Sequence, residues 1–219
     1  MQVFAKFSFI ISSCLSFLIL PIIVLTFLMP YYTDAFARYH VYDSFTASQG
    51  SVEILNARFG KVLAYIQPPF NSVLDHSFFS AEDIKHMQDV QAIFVYLYVV
   101  LAIAICTQIA STVFLMLKSY RDDTARLLAV TERATGIILI LIIVFGLIFL
   151  LTWDRSFILF HQVLFPNNTY WNLDPATSNL IKFLPGNIFQ ELSLLYLGAL
   201  VFEYITWKIG TFAYKMTYT

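Results

Sequence analysis

Four long, mostly apolar stretches dominate this chain and restrict it to a small set of folds. They cover residues 7–30, 91–117, 134–153 and 190–212, and only the last carries charges, at Glu191, Glu203 and Lys208. About 20 helical residues cross the ~30 Å hydrocarbon core of a bilayer, so each stretch is long enough to span it. The sequence therefore predicts an all-α polytopic membrane protein with four transmembrane helices, forming a single membrane domain over residues 1–219.

Composition supports this class and excludes others. Hydrophobic residues make up 59% of the chain and charged residues only 12%, about half the charged share of a typical soluble domain. A net charge of −1 gives no basis for nucleic-acid binding. Both cysteines, Cys14 and Cys106, lie in apolar stretches, so neither a disulfide framework nor a cysteine-based zinc site follows from them.

Basic residues predict the orientation of the four helices. The short connection between the second and third stretches holds Lys118, Arg121, Arg126 and Arg133, whereas the other two connections are longer and more dilute in Lys and Arg. Cytoplasmic loops carry the excess of Lys and Arg. We therefore expect both termini in the cytoplasm, and the connections 31–90 and 154–189 outside the cell.

Both external connections contain helical patterns. Apolar residues in Val52–Ile66 recur on one helical face, which predicts a helix packed on the bundle or lying among lipid headgroups. Ser80 and Asp83 have the spacing of a capping box, which predicts a helix that begins near Ala81 and continues into the second apolar stretch. Asp174-Pro175 has the order of an N-cap and a first helical residue, which predicts a short helix over residues 176–184.

Two histidines are expected at the outer boundary of the membrane. His161 lies within an apolar block that is too short to span a bilayer, and His86 precedes the second apolar stretch, on one helical face with Glu82 and Asp89. A lone histidine near a helix end is more often a cap or an interfacial hydrogen-bonding group than a catalyst. Two at one depth, each near a carboxylate, make the catalytic and structural interpretations comparably plausible.

Imidazole chemistry indicates what such a pair could do. Its pKa of about 6.5 in water falls in apolar surroundings, so His161 should be largely neutral and available as a general base. Arg155 could stabilise an oxyanion, although an arginine at this depth more often reaches for headgroups. His40 and His76 lie in ordinary loop contexts, and we expect structural roles for both.

Two patches resemble a known family. Residues 82–90 (Glu-Asp-Ile-Lys-His-Met-Gln-Asp-Val) and the second patch, which runs from Phe160-His161 through Trp171-Asn172-Leu173-Asp174-Pro175 to Leu184-Pro185, are similar to the lipoprotein intramolecular transacylases of Gram-positive bacteria, which are four-helix membrane proteins. The resemblance implies an acyltransferase without a cofactor or metal. Its substrates would be membrane-anchored diacylglyceryl lipoproteins, whose sn-2 acyl chain moves to the α-amino group of the N-terminal cysteine.

The resemblance also implies residue roles. The family's two histidines map to His86 and His161, with Arg155, Asp89 and Tyr65 as supporting residues that bind substrate. Two other classes stay open: a metal-dependent membrane hydrolase, in which His86, Asp89 and His161 would be ligands, and a membrane subunit or scaffold without activity. Membrane lipid is an expected partner in each case, and the sequence leaves the oligomeric state open.

Overall fold

The structure, a computed structural model, describes residues 2–117 and 121–218. Lys118 of the predicted cytoplasmic connection lies outside these ranges. The described residues form eight α-helices and two short 3-10 helices and contain no strand, which confirms the all-α prediction. The α-helices are α1 (Gln2–Thr26), α2 (Met29–Arg38), α3 (Val52–Tyr65), α4 (Ala81–Leu117), α5 (Arg121–Leu151), α6 (Trp153–Leu164), α7 (Asn179–Phe183) and α8 (Gly186–Tyr218).

Four of these helices, α1, α4, α5 and α8, are long and apolar enough to cross a bilayer, as the sequence predicts. Many of their large apolar side chains are exposed; Phe145 and Phe202, for example, keep 75% and 73% of their surface accessible. Exposed patches of this kind are rare on soluble monomers but match a surface that contacts lipid. The four helices therefore give a multi-pass membrane protein.

The chain divides into two compact units. The first comprises Met1–Leu25, Leu97–Ile148 and Leu194–Thr219. Its buried residues include Phe17, Leu139 and Leu200. Helices approach closely at Gly146, where an added Cβ would lie 3.1 Å from the side chain of Leu197, and small residues permit such approach between membrane helices.

The second unit comprises Thr26–Tyr96 and Phe149–Ser193 and has its own aromatic core. Phe36, Phe59 and Phe183 are fully buried, with ring centroids 4.9–5.7 Å apart. Aromatic pairs at such distances add to the stabilisation that burial of their surface provides. This core holds the loops and short helices of the unit in place.

Helix α3 covers the predicted segment Val52–Ile66 almost completely. Its apolar face, with Leu55, Phe59 and Val62, is buried in the core of the second unit. Between the two expected locations, the structure therefore favours packing against protein over a position among headgroups.

The predicted capping box at the start of α4 is confirmed. The amide of Asp83 donates to Ser80 Oγ, and the amide of Ser80 donates to Asp83 Oδ2, each at 3.0 Å. Asp83 is completely buried, and its Oδ1 accepts a hydrogen bond from Ser178 Oγ. Ser178 in turn caps α7 by accepting from the amide of Ile181. One buried carboxylate thus joins the starts of two helices that are far apart in sequence.

The predicted helix over residues 176–184 is partly wrong. Only Asn179–Phe183 is helical, and its N-cap is Ser178. Asp174 instead closes a turn: its Oδ1 accepts from the amide of Ala176, and its carbonyl accepts from the amides of Thr177 and Ser178. Asp favours such local turns as readily as helix caps. Ser178, whose hydroxyl donates to the buried Asp83 carboxylate, is the N-cap of α7 instead.

Candidate active site

Helix α6 carries His161 and leaves its apolar side chains largely exposed. No residue of α6 is buried; Leu159 and Val163 are 61% and 69% accessible. At 12 residues the helix is too short to cross a bilayer. This matches the predicted short apolar block after the third membrane helix.

The backbone of α6 fixes the tautomer of His161. Its Nδ1 lies 2.8 Å from the carbonyl oxygen of Phe157, one turn earlier. A carbonyl oxygen can only accept, so Nδ1 carries the proton of this hydrogen bond. In the neutral ring the lone pair is then on Nε2. His161 therefore offers Nε2 as a base without needing a carboxylate partner.

Aromatic neighbours keep this imidazole neutral. Its ring centroid lies 4.1 Å from that of Phe157 and 5.1 Å from that of Trp171. Desolvation lowers the pKa of His161 below its ordinary value of 6.5, although the hydrogen bond to the Phe157 carbonyl acts in the opposite direction. A neutral imidazole at physiological pH is the form that accepts a proton.

The second predicted histidine lies beside the first. The ring centroids of His86, on α4, and His161 are 6.1 Å apart, and His86 packs edge-on against Phe165 with centroids 5.2 Å apart. Its Nδ1 is shielded from solvent and has no hydrogen-bond partner in the part of the chain that the structure describes. A shielded polar atom without a partner is uncommon in folded proteins, so this nitrogen is suited to contact a bound molecule.

A loop after α6 completes the surroundings of the two histidines. Asn168 Nδ2 donates to Asp89 Oδ2 at 2.9 Å, and the ammonium of Lys85 lies 4.7 Å from the ring centroid of Tyr170. Both Asp89 and Lys85 belong to α4. The loop is therefore joined twice to the helix of His86, and Trp171 follows directly with its indole ring against His161.

The three supporting residues lie in different settings. Asp89 is partly buried and engaged by Asn168. Arg155 is exposed on α6, and six helical residues turn it about 120° around the axis from His161. Tyr65 ends α3, where its ring packs on the core and its carbonyl accepts from Gln91 Nε2 at 2.6 Å. The structure thus brings His86, His161 and Asp89 together with the loop of Asn168. The roles of all five predicted site residues stay predictions.

Several features of this site have no signal in the sequence. Neither the Phe157 carbonyl nor the Asn168–Asp89 hydrogen bond follows from any local pattern, because the first is main chain and the second joins residues 79 positions apart. Trp171 has the composition of an ordinary interfacial aromatic residue. Only its place ten residues after His161, within the second resembling patch, could have singled it out.

Comparisons with known proteins identify the family of this chain. A family model described as lipoprotein intramolecular transacylase Lit matches residues 7–189. The chain belongs to the lipoprotein intramolecular transacylase family. No curated protein sequence matches the chain.

Solved structures of this family's Bacillus cereus member share the fold. One in meso structure has a TM-score of 0.84 and 19% identity, covering 99% of this chain and 97% of that chain. Two variants, with a histidine replaced by arginine or by alanine, have TM-scores of 0.72 and 0.78 and identities of 20% and 18%. They cover 99% of this chain and 95% and 94% of theirs.

Family membership decides between the classes that the sequence leaves open. The chain is a membrane-integral acyltransferase, a lipoprotein intramolecular transacylase. A scaffold without activity is thereby excluded as its class. Its four apolar helices make this transacylase a multi-pass membrane protein.

Proposed function

We propose that this transacylase moves the sn-2 acyl chain of a diacylglyceryl lipoprotein to the α-amino group of its N-terminal cysteine, with His161 as the general base. The observation that carries this proposal is the hydrogen bond from His161 Nδ1 to the Phe157 carbonyl, which directs the basic Nε2 to other partners. His86, 6.1 Å away between ring centroids, shares the handling of the proton.

The reaction needs few groups because donor and acceptor belong to one molecule. The cysteine amine attacks the sn-2 ester carbonyl, a C–N bond forms, and the amine proton passes to His161 Nε2. When the tetrahedral intermediate collapses, the C–O bond breaks and the glycerol oxygen takes a proton from the histidine pair. Holding amine and ester together can contribute up to about 7–11 kcal/mol of the barrier in favourable cases.

The setting of the site suits such a substrate. We place the pair at the outer boundary of the membrane, both termini in the cytoplasm, because the Lys- and Arg-rich connection lies between the second and third membrane helices. The exposed apolar side of α6, including Phe160 and Leu164, would contact the acyl chains as they enter from the leaflet. We assign Asp89 to positioning, and Arg155 and Tyr65 to binding of substrate headgroup and glycerol.

The sequence also leaves open a metal-dependent hydrolase, a class to which family membership does not assign this chain. It would use His86, Asp89 and His161 as ligands, yet no three His, Cys, Asp or Glu side chains among the described residues lie close enough to hold a metal ion. Asp89 Oδ2 accepts from Asn168 instead. The acid–base role therefore accounts for these side chains better.

One experiment tests the proposal. The purified protein in proteoliposomes receives a synthetic peptide whose N-terminal S-diacylglyceryl cysteine carries different chains at sn-1 and sn-2. Intramolecular transfer leaves the total mass unchanged, and tandem mass spectrometry then finds the sn-2 chain on the cysteine nitrogen. Release of free fatty acid with a free amine retained would instead establish a hydrolase, and transfer of the sn-1 chain would overturn the stated regiochemistry.

A further inference from the structure

Trp171 has an indole N–H that is shielded from solvent and without a hydrogen-bond partner in the described part of the chain. A buried donor without an acceptor is unfavourable, because it loses its hydrogen bonds to water without replacement. Buried tryptophan N–H groups usually find a partner. In a binding site, such a donor is free to satisfy an acceptor that arrives with the substrate.

The surroundings separate Trp171 from the other tryptophan of this kind. Trp207 also has a shielded indole nitrogen without a partner, but it packs against Phe9 in the first unit. Trp171 instead lies against the ring of His161, with centroids 5.1 Å apart and planes inclined by 31°. The unpartnered Nδ1 of His86 belongs to the same cluster. Two unsatisfied polar atoms thus accompany the base that the reaction uses.

From this arrangement we propose that the Trp171 indole N–H donates a hydrogen bond to the carbonyl oxygen of the ester under attack. This hydrogen bond becomes stronger as the oxygen becomes an oxyanion. The inference rests on the proposed function. His161 has no proton on Nε2 before attack, so it cannot supply this donor, and Arg155 is turned away from it around α6. In the described part of the chain, the Trp171 indole N–H is a shielded donor without a partner, and its ring lies against that of His161. His86 is already assigned to the handling of the proton.

Loss of the Trp171 hydrogen bond should affect kcat. A donor aimed at developing charge stabilises the transition state more than the bound ester, so it acts on kcat rather than on KM. Removing one such donor typically lowers kcat by about 10²–10³-fold. A tryptophan that only packs on His161 would show a different signature, with lower thermal stability and little change in kcat once folded.

Two replacements isolate the N–H group. Benzothienylalanine at position 171 keeps the bicyclic shape and replaces N–H by sulfur, and Trp171→Phe keeps a smaller aromatic ring. Trp207→Phe is the matched control, since it removes an indole N–H with the same shielding in the first unit. Each variant is assayed in proteoliposomes with the synthetic diacylglyceryl peptide, and its unfolding temperature in detergent is measured in parallel.

We expect the benzothienylalanine protein to retain its unfolding temperature and KM and to lose about 10²–10³-fold in kcat, while Trp207→Phe retains kcat. Normal kcat in the benzothienylalanine protein overturns the inference even if Trp171→Phe is impaired, because the defect then follows ring size. Failure of the wild-type protein to move the sn-2 chain at all refutes the proposed function instead, so the two outcomes are distinguishable.

Discussion

Asn168 Nδ2 and Asp89 Oδ2 are joined by a 2.9 Å hydrogen bond, and through it the loop that carries Trp171 is attached to the helix that carries His86. The two residues are 79 positions apart in sequence. Together with the contact between Lys85 and Tyr170, this hydrogen bond supports the position of the Trp171 indole beside the two imidazoles.

Removal of this contact should loosen the site. Asn168→Ala should lower kcat several-fold, because Trp171 is held less firmly beside the histidines. It should also lower the free energy of unfolding by at most about 3 kcal/mol, the upper end of the range for a hydrogen bond to a charged group. Asn167→Ala, at an exposed neighbouring position, is the control. Equal turnover and equal unfolding temperatures in the two variants would contradict a positioning role for the contact.

The two histidines should act as a unit. His161→Ala and His86→Ala should each lower the rate of N-acyl product formation by about 10²–10⁴-fold, and the double variant should be little worse than either single one. Unfolding temperature in detergent is measured alongside. A folded His161→Ala protein with a near-normal rate would refute the assignment.

The structure sharpens the control for that experiment. His76 is exposed, so His76→Ala should retain full activity. His40 has a φ of 53°, a left-handed conformation that alanine adopts poorly and asparagine tolerates. His40→Asn is therefore the better second control, because it keeps the backbone and removes only the imidazole.

Activity should fall on acidification. Only the neutral form of His161 accepts the amine proton, and desolvation lowers its pKa below 6.5. Activity is therefore present above the lowered pKa and is lost as pH falls through it, so the acid limb of the kcat profile should lie below pH 6.5. Activity that rises on acidification from neutral pH would mean that an imidazolium is the working form.

The exposed side of α6 should contact substrate chains. Phe160 keeps 48% of its surface accessible and Leu164 keeps 39%. A serine at either position therefore removes an apolar contact with lipid without creating a cavity in the core. Phe160→Ser should raise KM about tenfold, the effect of roughly 1.4 kcal/mol, whereas Phe160→Leu should stay close to wild type. Unchanged KM in a folded Phe160→Ser protein would indicate that acyl chains enter elsewhere.

Orientation in the membrane is open to direct measurement. In a background with Cys14→Ser and Cys106→Ser, a cysteine at Ser119 should resist an impermeant thiol reagent in intact cells, because the basic connection is expected in the cytoplasm. A cysteine at Asn167, exposed in the loop after α6, should react. The reverse pattern would place the histidines on the cytoplasmic side.

Local physical chemistry predicts much of this fold, and long-range contacts account for the rest. The four apolar stretches, the start of α4 at its Ser80–Asp83 capping box and the helix at residues 52–65 follow from composition and spacing within one or two turns. The prediction at Asp174 was wrong because turns and N-caps use the same residue types. The buried hydrogen bond between Ser178 and Asp83, which are 95 positions apart, favours Ser178 as the N-cap.

The site divides in the same way. His86 and His161 could be predicted because a titratable group beside an apolar stretch is conspicuous in sequence. Their proximity, the Asn168–Asp89 hydrogen bond and the contact of Trp171 with His161 could not be predicted, since tertiary packing alone creates them.

The hydrogen bond between His161 and the Phe157 carbonyl limits what side-chain replacement can reveal about this site. The group that selects the tautomer of the base belongs to the polypeptide backbone, so every side-chain replacement at position 157 leaves it in place. An alanine scan would record the effect of losing a phenyl ring there and would miss the orienting oxygen. Replacement of the Phe157–Ile158 amide by an ester, which weakens that carbonyl as an acceptor, would reveal it.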